Sequence, residues 1–141
     1  MKRWLITAAI AGPVLLGAAV VSRMAAAGPF WTTVVYSAAG LVCHQRPDRS
    51  FFTHGVQWPV CGRCAGLYLA APVGAAAAFV LRKRSRRDAA AIWLAAAAVP
   101  TVASWSAEHL VGIPQSNLAR AVLAVPLGAA VAYVLVRAVP D

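Results

Sequence analysis

The sequence predicts an all-α fold, an integral membrane bundle of four to five transmembrane helices with an outer loop that contains cysteine and histidine. Two observations lead to this prediction: 61% of the 141 residues are hydrophobic and only 12% are charged, and alanine-rich apolar runs repeat along the whole chain. A helix crosses a hydrocarbon core of about 30 Å with roughly 20 apolar residues. We therefore expect a single membrane domain over residues 1–141, with no separate soluble module.

The first apolar run extends from Trp4 to Val21 and follows the basic residues Lys2 and Arg3. Its length favours a membrane-spanning helix, because the apolar body of a secretory signal is usually about 7 to 15 residues long. The basic start and the small residues before Gly28 are also the pattern of a signal peptide. Residues 1–27 are therefore either the first helix or a signal-like segment.

Four further apolar segments follow the Gly28-Pro29 break. The first of them is short for a span. The second carries Pro72 and Gly74, which membrane helices tolerate when neighbouring helices satisfy the loosened backbone. The four segments are Phe30–Val42, Cys64–Leu81, Ala89–Ala107 and Leu118–Val136.

Five cations lie within the six residues 82–87, between two apolar segments. Short basic loops of this kind stay on the cytoplasmic side of a membrane. With the 82–87 loop in the cytoplasm, the stretch from Cys43 to Cys64 and the connection from Glu108 to Asn117 lie on the extracytoplasmic face.

The formal net charge of +9 bears on the partners of the protein. The basic residues are scattered between apolar runs, with one tight cluster, a pattern typical of anchoring to anionic lipid. We therefore expect membrane lipids, and no nucleic acid, as partners. The alanine- and glycine-rich segments suit close helix packing, and both a monomer and a dimer stay open.

Polar residues other than the cytoplasmic anchors converge on the outer face. Such groups are costly near lipid, so the cluster indicates a functional site or mutually paired side chains. Arg120 falls in the first turn of an apolar helix and needs a partner, for which Glu108 and Asp48 are the candidates. The polar cluster, predicted to contact a substrate or anion or to support the site, comprises Gln45, Arg49, Ser50, Arg63, Ser116, Asn117 and Arg120.

Three cysteines and a histidine are predicted to bind a metal ion. Cys61 and Cys64 have the two-residue gap that lets both thiolates bind one ion, and Cys43 with His44 completes a Cys3His set. Thiolate and imidazole ligands favour zinc. Adjacent residues on a helix point in different directions. Either the helix ends at Cys43, or only one of the Cys43-His44 pair binds and a coordination position stays open.

An open zinc position predicts catalysis. Zinc polarises a carbonyl or lowers the pKa of a bound water to about 7. The candidate catalytic residues are Glu108 and His109, as proton carriers, and Tyr68, as an acid. The sequence then predicts a zinc-dependent membrane hydrolase or lyase that acts on a lipid or a small apolar substrate.

Two other function classes stay open. Cys61 and Cys64 form a CxxC at a helix start, where the helix amino terminus and Arg63 lower a thiol pKa, as a thiol-disulfide oxidoreductase requires. No zinc would be expected in that case. The remaining class is a non-catalytic metal-handling or structural membrane protein.

Four arginines carry a separate prediction. Guanidinium groups form planar forks that suit a phosphate or carboxylate, but arginines at an interface also snorkel to lipid phosphates or pair with acids. Both interpretations apply to Arg46, Arg49, Arg63 and Arg120.

The two cysteine motifs identify a family. The pattern Cys-His-Gln-x-Pro-x-Arg-Ser-Phe at 43–51 and Pro-Val-Cys-x-Arg-Cys-x-Gly-x-Tyr at 59–68 resembles the small bacterial and archaeal membrane proteins grouped as the domain of unknown function DUF2085. A weaker patch, Ser-Asn-x-x-Arg, resembles 116–120. The resemblance covers about residues 30–136 and implies a multi-pass protein of a bacterial or archaeal cell membrane, without a settled activity. The family's aspartate at the preceding helix end has no direct counterpart, and Glu108 is the residue in its place.

Overall fold

A computed structural model describes residues 29–81 and 87–138, together with single helical positions between residues 4 and 21. Helices dominate the described chain, which confirms the predicted fold class. Most of the predicted first segment and of the basic 82–87 loop lies outside the described residues. In chain order the elements are α1 (Pro29–Gly40), a 3-10 turn (Pro47–Arg49), β1 (Ser50–Thr53), β2 (Val56–Cys61), α2 (Gly62–Val80), α3 (Arg87–Leu110) and α4 (Asn117–Ala138).

Three helices in the described part of the chain are long and apolar enough to cross a membrane. They correspond to α2, to the Ala90–Leu110 part of α3 and to α4. Helix α1 has 12 residues, which is too short for a crossing that needs roughly 20. The sequence predicted four to five spans, and the described residues provide three of them.

A small β-hairpin occupies the region that the sequence predicted only as an outer loop. Strands β1 and β2 are antiparallel, and Thr53 pairs with Val56 around a two-residue turn. The turn residues His54 and Gly55 both have positive φ, 49° and 77°, as a type I′ hairpin turn requires. The His-Gly dipeptide lacks the Asn-Gly or Asp-Gly signal of such turns, and the strands are short, so the sequence pattern did not reveal the hairpin.

Helices α2 and α4 pack with their backbones in contact. A Cβ added at Gly66 would lie 2.1 Å from the Ala121 carbonyl oxygen, and one at Gly74 would lie 2.0 Å from that of Ala129. Glycine is therefore required at both positions, because small residues let membrane helices approach this closely. Five of the seven buried residues of α2 recur every four positions: Gly62, Gly66, Ala70, Gly74 and Ala78.

The direction of the helices brings the polar residues to one end of the bundle. Helices α2 and α4 run parallel, since Gly62 meets Asn117 near their starts and Ala78 clusters with Val136 near their ends. Helix α3 returns toward the hairpin, where the Glu108 carboxylate reaches Arg63 of α2. This end, which carries the hairpin, is the site end of the molecule.

Candidate metal centre

The three cysteines meet at the site end, and we call them the cysteine cluster. Helix α1 ends at Gly40, and buried Cys43 follows two turn residues later. Cys61 ends β2 and caps α2, whereas Cys64 lies in the first turn of that helix. The three Sγ atoms all lie within 4.8 Å of one another. Tetrahedral bonds of about 2.3 Å to zinc place sulfurs about 3.8 Å apart, so small side-chain adjustments bring these thiols to a metal.

The surroundings of Cys61 favour its thiolate form. The Cys64 side chain acts as a hydrogen-bond partner and, against the effect of burial, lowers the pKa of the Cys61 thiol to about 5. The Cys61 backbone N–H donates to Cys43 Sγ over 3.2 Å, a contact that stabilises charge on sulfur. All three cysteines, which lie in the described part of the chain, are free thiols. Three free cysteine sulfurs, one of them with a lowered pKa, suit a soft divalent or monovalent metal ion.

His44 lies apart from the three sulfurs. It follows Cys43 in the loop beyond the end of α1 and is exposed. The helix therefore ends before the Cys43-His44 pair. Within the described residues the metal-ligating group is formed by the three cysteines. His44 does line the pocket next to them, and its role as fourth ligand stays a prediction.

A pocket of about 360 Å³ opens beside the cysteine cluster. Arginine side chains from three elements of the fold and the His109 ring form much of its wall. The predicted acid Tyr68 packs instead on the buried Cys43–Val60–Ala65 core below. The residues that line the pocket are Val42, Cys43, His44, Gln45, Arg46, Arg49, Cys61, Arg63, Cys64, Trp105, His109 and Arg120.

Glu108 is held between two arginines. Its Oε2 accepts from Arg63 Nη2 at 2.5 Å, and its Oε1 accepts from Arg120 Nε at 2.6 Å. The Glu108 side chain is only 5% exposed. The predicted pairing of Arg120 with Glu108 is confirmed. Since both carboxylate oxygens are engaged, Glu108 joins α3 to the starts of α2 and α4.

Arg120 and Asn117 connect this ion pair to the hairpin. Arg120 Nη1 donates to Asn117 Oδ1 and to the backbone carbonyl of Asp48, at 2.5 and 3.3 Å. The Asp48 carboxylate itself pairs with the exposed Arg46. Asn117 Nδ2 donates to the Ser50 carbonyl at 2.8 Å. The first turn of α4 therefore fixes the position of β1 relative to α2.

His109 is fixed on the pocket wall by its two ring nitrogens. Its Nδ1 lies 2.9 Å from the Trp105 carbonyl. Because a carbonyl only accepts, Nδ1 carries the proton and Nε2 is left to accept from Arg49 Nη1 at 3.4 Å. The ring also stacks on Trp105, with the ring centroids 4.6 Å apart.

The remaining predicted polar residues have structural partners. Ser116 precedes α4, and its hydroxyl accepts from the Ala119 N–H at 3.1 Å as a helix cap. Gln45 Nε2 donates to the Tyr36 carbonyl at 2.6 Å, which joins the loop to α1. Buried Ser50 donates to the Arg46 carbonyl at 2.9 Å.

Comparison with known proteins defines the family of this chain. Residues 43–134 match the family described as Predicted membrane protein (DUF2085). The chain belongs to this family. Two archaeal relatives, both described as uncharacterized, come from Methanocaldococcus jannaschii and Methanothermobacter thermautotrophicus.

The similarity to these DUF2085 relatives is local. The first relative is 44% identical over 48 residues, which cover 32% of this chain and 31% of the relative. The second is 50% identical over 30 residues, which cover 21% of this chain and 27% of the relative. The chain thus matches about a third of the length of these curated relatives or less. No solved structure matches it. The DUF2085 region begins at Cys43, and therefore contains the cysteine cluster, Glu108 and Arg120.

Sequence reasoning on this DUF2085 protein missed three contributors to the site. They are Ser104, Gln115 and Trp105. The buried Ser104 hydroxyl accepts a hydrogen bond from Arg63 and donates one to Gln115 Oε1 at 2.7 Å, and the Trp105 ring stacks on the His109 ring. A serine inside an apolar helix is itself a signal that it has a partner, which could have identified Ser104. The stacking role of Trp105 depends on the fold, which places its ring against that of His109.

Proposed function

We propose that this DUF2085 protein is a membrane metalloprotein that holds one zinc ion on the thiolates of Cys43, Cys61 and Cys64. The observation that carries the proposal is the approach of three sulfurs, from the loop after α1, the end of β2 and the first turn of α2, to within 4.8 Å of one another. The environment of Cys61 supports it, because the lowered pKa of this thiol favours the thiolate, which is the form that binds a metal.

We further propose that the fourth coordination position faces the pocket and that the protein is an enzyme acting on a lipid or a small substrate. Zinc with three protein ligands and an open position supplies Lewis-acid activation of a carbonyl or of water. His109 is the proton carrier in this proposal, because it lines the pocket and its Nε2 contact with Arg49 is long, at 3.4 Å, so that this nitrogen can exchange Arg49 for a proton of the substrate. Glu108 has both oxygens on arginines and serves in this proposal to position Arg63 and Arg120.

The site end is proposed to face the extracytoplasmic side of the cell membrane. The support comes from the sequence: the basic 82–87 loop follows α2 at the end opposite the cysteine cluster, and such loops remain cytoplasmic. A membrane-impermeant maleimide should label the partly exposed thiols of Cys61 and Cys64 in metal-depleted intact cells. Labelling that appears only after the membrane is permeabilised would show that the site end faces the cytoplasm.

Metal analysis and a thiol count on the protein purified in detergent test the zinc site. We expect about one zinc per chain, metal-protected thiols, and loss of the metal in Cys43→Ser, Cys61→Ser and Cys64→Ser, because each variant removes one of three ligands. His44→Ala keeps the metal if the fourth position is open, with His54→Ala in the exposed hairpin turn as the matched control. Loss of zinc in His44→Ala alone would establish a closed Cys3His site.

Thiol-disulfide exchange is the second candidate function, favoured by the lowered pKa of Cys61 beside Cys64. The same preparation separates the two candidates. A metal-free protein with a reducible Cys61–Cys64 disulfide would replace the zinc proposal with redox chemistry.

A further inference from the structure

We propose that the pocket beside the cysteine cluster binds a phosphate group, with Arg49 and Arg63 as its principal ligands. This inference deepens the proposed function by naming the chemistry of its ligand, and it rests on that function only in placing the phosphate next to a metal. The arginine contacts themselves do not require the metal.

Two buried arginine N–H donors beside the pocket lack a hydrogen-bond acceptor among the described residues. The Nε atoms of Arg49 and Arg63 are buried and have no hydrogen-bond partner within the described part of the chain. A buried N–H without an acceptor is unfavourable. Both residues line the pocket, so an anion bound there would lie beside two guanidinium groups whose Nε donors have no hydrogen bond within the described part of the chain.

The contacts of the two arginines hold them in place without using these donors. Arg63 Nη2 is fixed by Glu108 and Ser104. Arg49 Nη1 contacts His109, and its Nε lies 3.6 Å from Asp48 Oδ2, beyond hydrogen-bonding distance. Positioning of this kind reduces the ordering cost of ligand binding. The two guanidinium groups are thus prepared for a further acceptor.

The charge of the pocket favours an anion with several oxygens. Four arginines line it, Arg46 and Arg120 in addition to the two principal ligands, and no carboxylate is among its described lining residues. Glu108 pairs with Arg63 and Arg120, and Asp48 pairs with Arg46 and Arg49 at 3.2 and 3.6 Å. Four guanidinium groups therefore face two carboxylates, and the surplus of positive charge favours an anion. Guanidinium groups bind phosphate through two parallel N–H donors each. A tetrahedral phosphate reaches separate arginines better than a planar carboxylate, which offers only two oxygens.

The position of the pocket is consistent with either of two phosphate sources. It lies where spans α2, α3 and α4 meet the hairpin, which is the level at which a bilayer changes from hydrocarbon to head groups. A lipid phosphate reaches this level from within its leaflet, whereas a free phosphate compound reaches it from water. The shared chemistry is the phosphate group.

Titration calorimetry in a maltoside detergent tests the proposal with two probes, inorganic phosphate and dihexanoyl phosphatidic acid. We expect Arg49→Gln and Arg63→Gln each to weaken binding about tenfold or more, as expected for loss of a hydrogen bond to a charged group. The matched control is Arg137→Gln, which lies in the last turn of α4 at the other end of the bundle. Phosphatidic acid binding at least tenfold more tightly than phosphate identifies a lipid ligand, and equal affinities identify a free phosphate group.

Two results would overturn the proposal: neither probe binds, or Arg49→Gln binds as tightly as the unmodified protein. Arg63→Gln leaves the Glu108 carboxylate with Arg120 as its one partner. The double variant Arg63→Gln/Glu108→Gln removes the positive and the negative charge of the Arg63–Glu108 ion pair together and serves as a second variant. Repeating the titration with Cys61→Ser separates this proposal from the zinc site. Arginine-dependent binding without metal supports the phosphate site even if the zinc proposal fails, whereas zinc with no arginine-dependent binding rejects the phosphate site alone.

Discussion

Helix α4 contacts its two spanning neighbours in different ways. Against α2 it packs backbone to backbone along its length, through glycines such as Gly66 and Gly74. Against α3 its strongest contact is polar and lies at one end, where Arg120 meets Glu108. The burial of the two helices reflects this difference, since 33% of the apolar window of α4 is buried and only 6% of that of α3.

The α2–α4 and α3–α4 interfaces have different roles. In a membrane, apolar side chains gain little by leaving lipid for protein, so close backbone packing and polar contacts determine which helices associate. The α2–α4 interface provides a rigid pair of helices. The ion pairs of Glu108 attach α3 to these two helices at the site end. Trp105 and His109, which belong to α3, are thereby held at the pocket.

The largest expected effect comes from removing the charge that attaches α3. Glu108→Gln leaves the guanidinium groups of Arg63 and Arg120, 15% and 10% exposed, without their shared counter-ion. Breaking a buried ion pair typically costs about 3 to 5 kcal/mol. Thermal unfolding in detergent should show this loss, and hydrogen exchange should rise in the first turns of α2 and α4 more than in their centres. Asp48→Asn is the control, because its partner Arg46 is exposed. Equal melting temperatures for the two variants would contradict the role given to Glu108.

A smaller effect is expected at the α2–α4 interface. In Gly66→Ala the new methyl group would meet the Ala121 carbonyl at 2.1 Å, so the helices must separate. Overpacking of this kind costs about 1 to 3 kcal/mol. Gly17→Ala, with no heavy atom of the described structure within 4 Å of the added carbon, should leave the melting temperature unchanged or raise it. A Gly66→Ala protein as stable as Gly17→Ala would show that the two backbones are not in contact.

The smallest effect concerns the middle of α3. Thr101 Oγ1 donates to the Leu123 carbonyl of α4 at 2.9 Å. Thr101→Val removes this bond and conserves volume, with an expected loss of about 0.5 to 1.5 kcal/mol. A loss as large as that of Glu108→Gln, measured by the same thermal unfolding, would mean that α3 is held along its length and not mainly at the site end.

Part of the site could be predicted from residue chemistry alone. A cation in an apolar helix needs a partner, so the pairing of Arg120 with Glu108 followed from the sequence. The spacing of Cys61 and Cys64 placed two thiols together, because three residues make less than one helical turn. The position of Cys43 beside them did not follow in the same way, since it depends on how α1 ends and on the hairpin between residues 50 and 61.

The sequence by itself determined the membrane-embedded helical class, the break at the basic loop and the convergence of polar residues at one end. These properties depend on composition and on hydrophobic runs about 20 residues long, which are local features. Only the tertiary structure decided that the three thiols meet, that Glu108 has both oxygens occupied and that two arginines with buried Nε atoms lacking a hydrogen bond within the described chain line one pocket. Those properties depend on distances between side chains far apart in the chain, and such distances are set by the glycine-mediated approach of α2 and α4 and by the register of the hairpin.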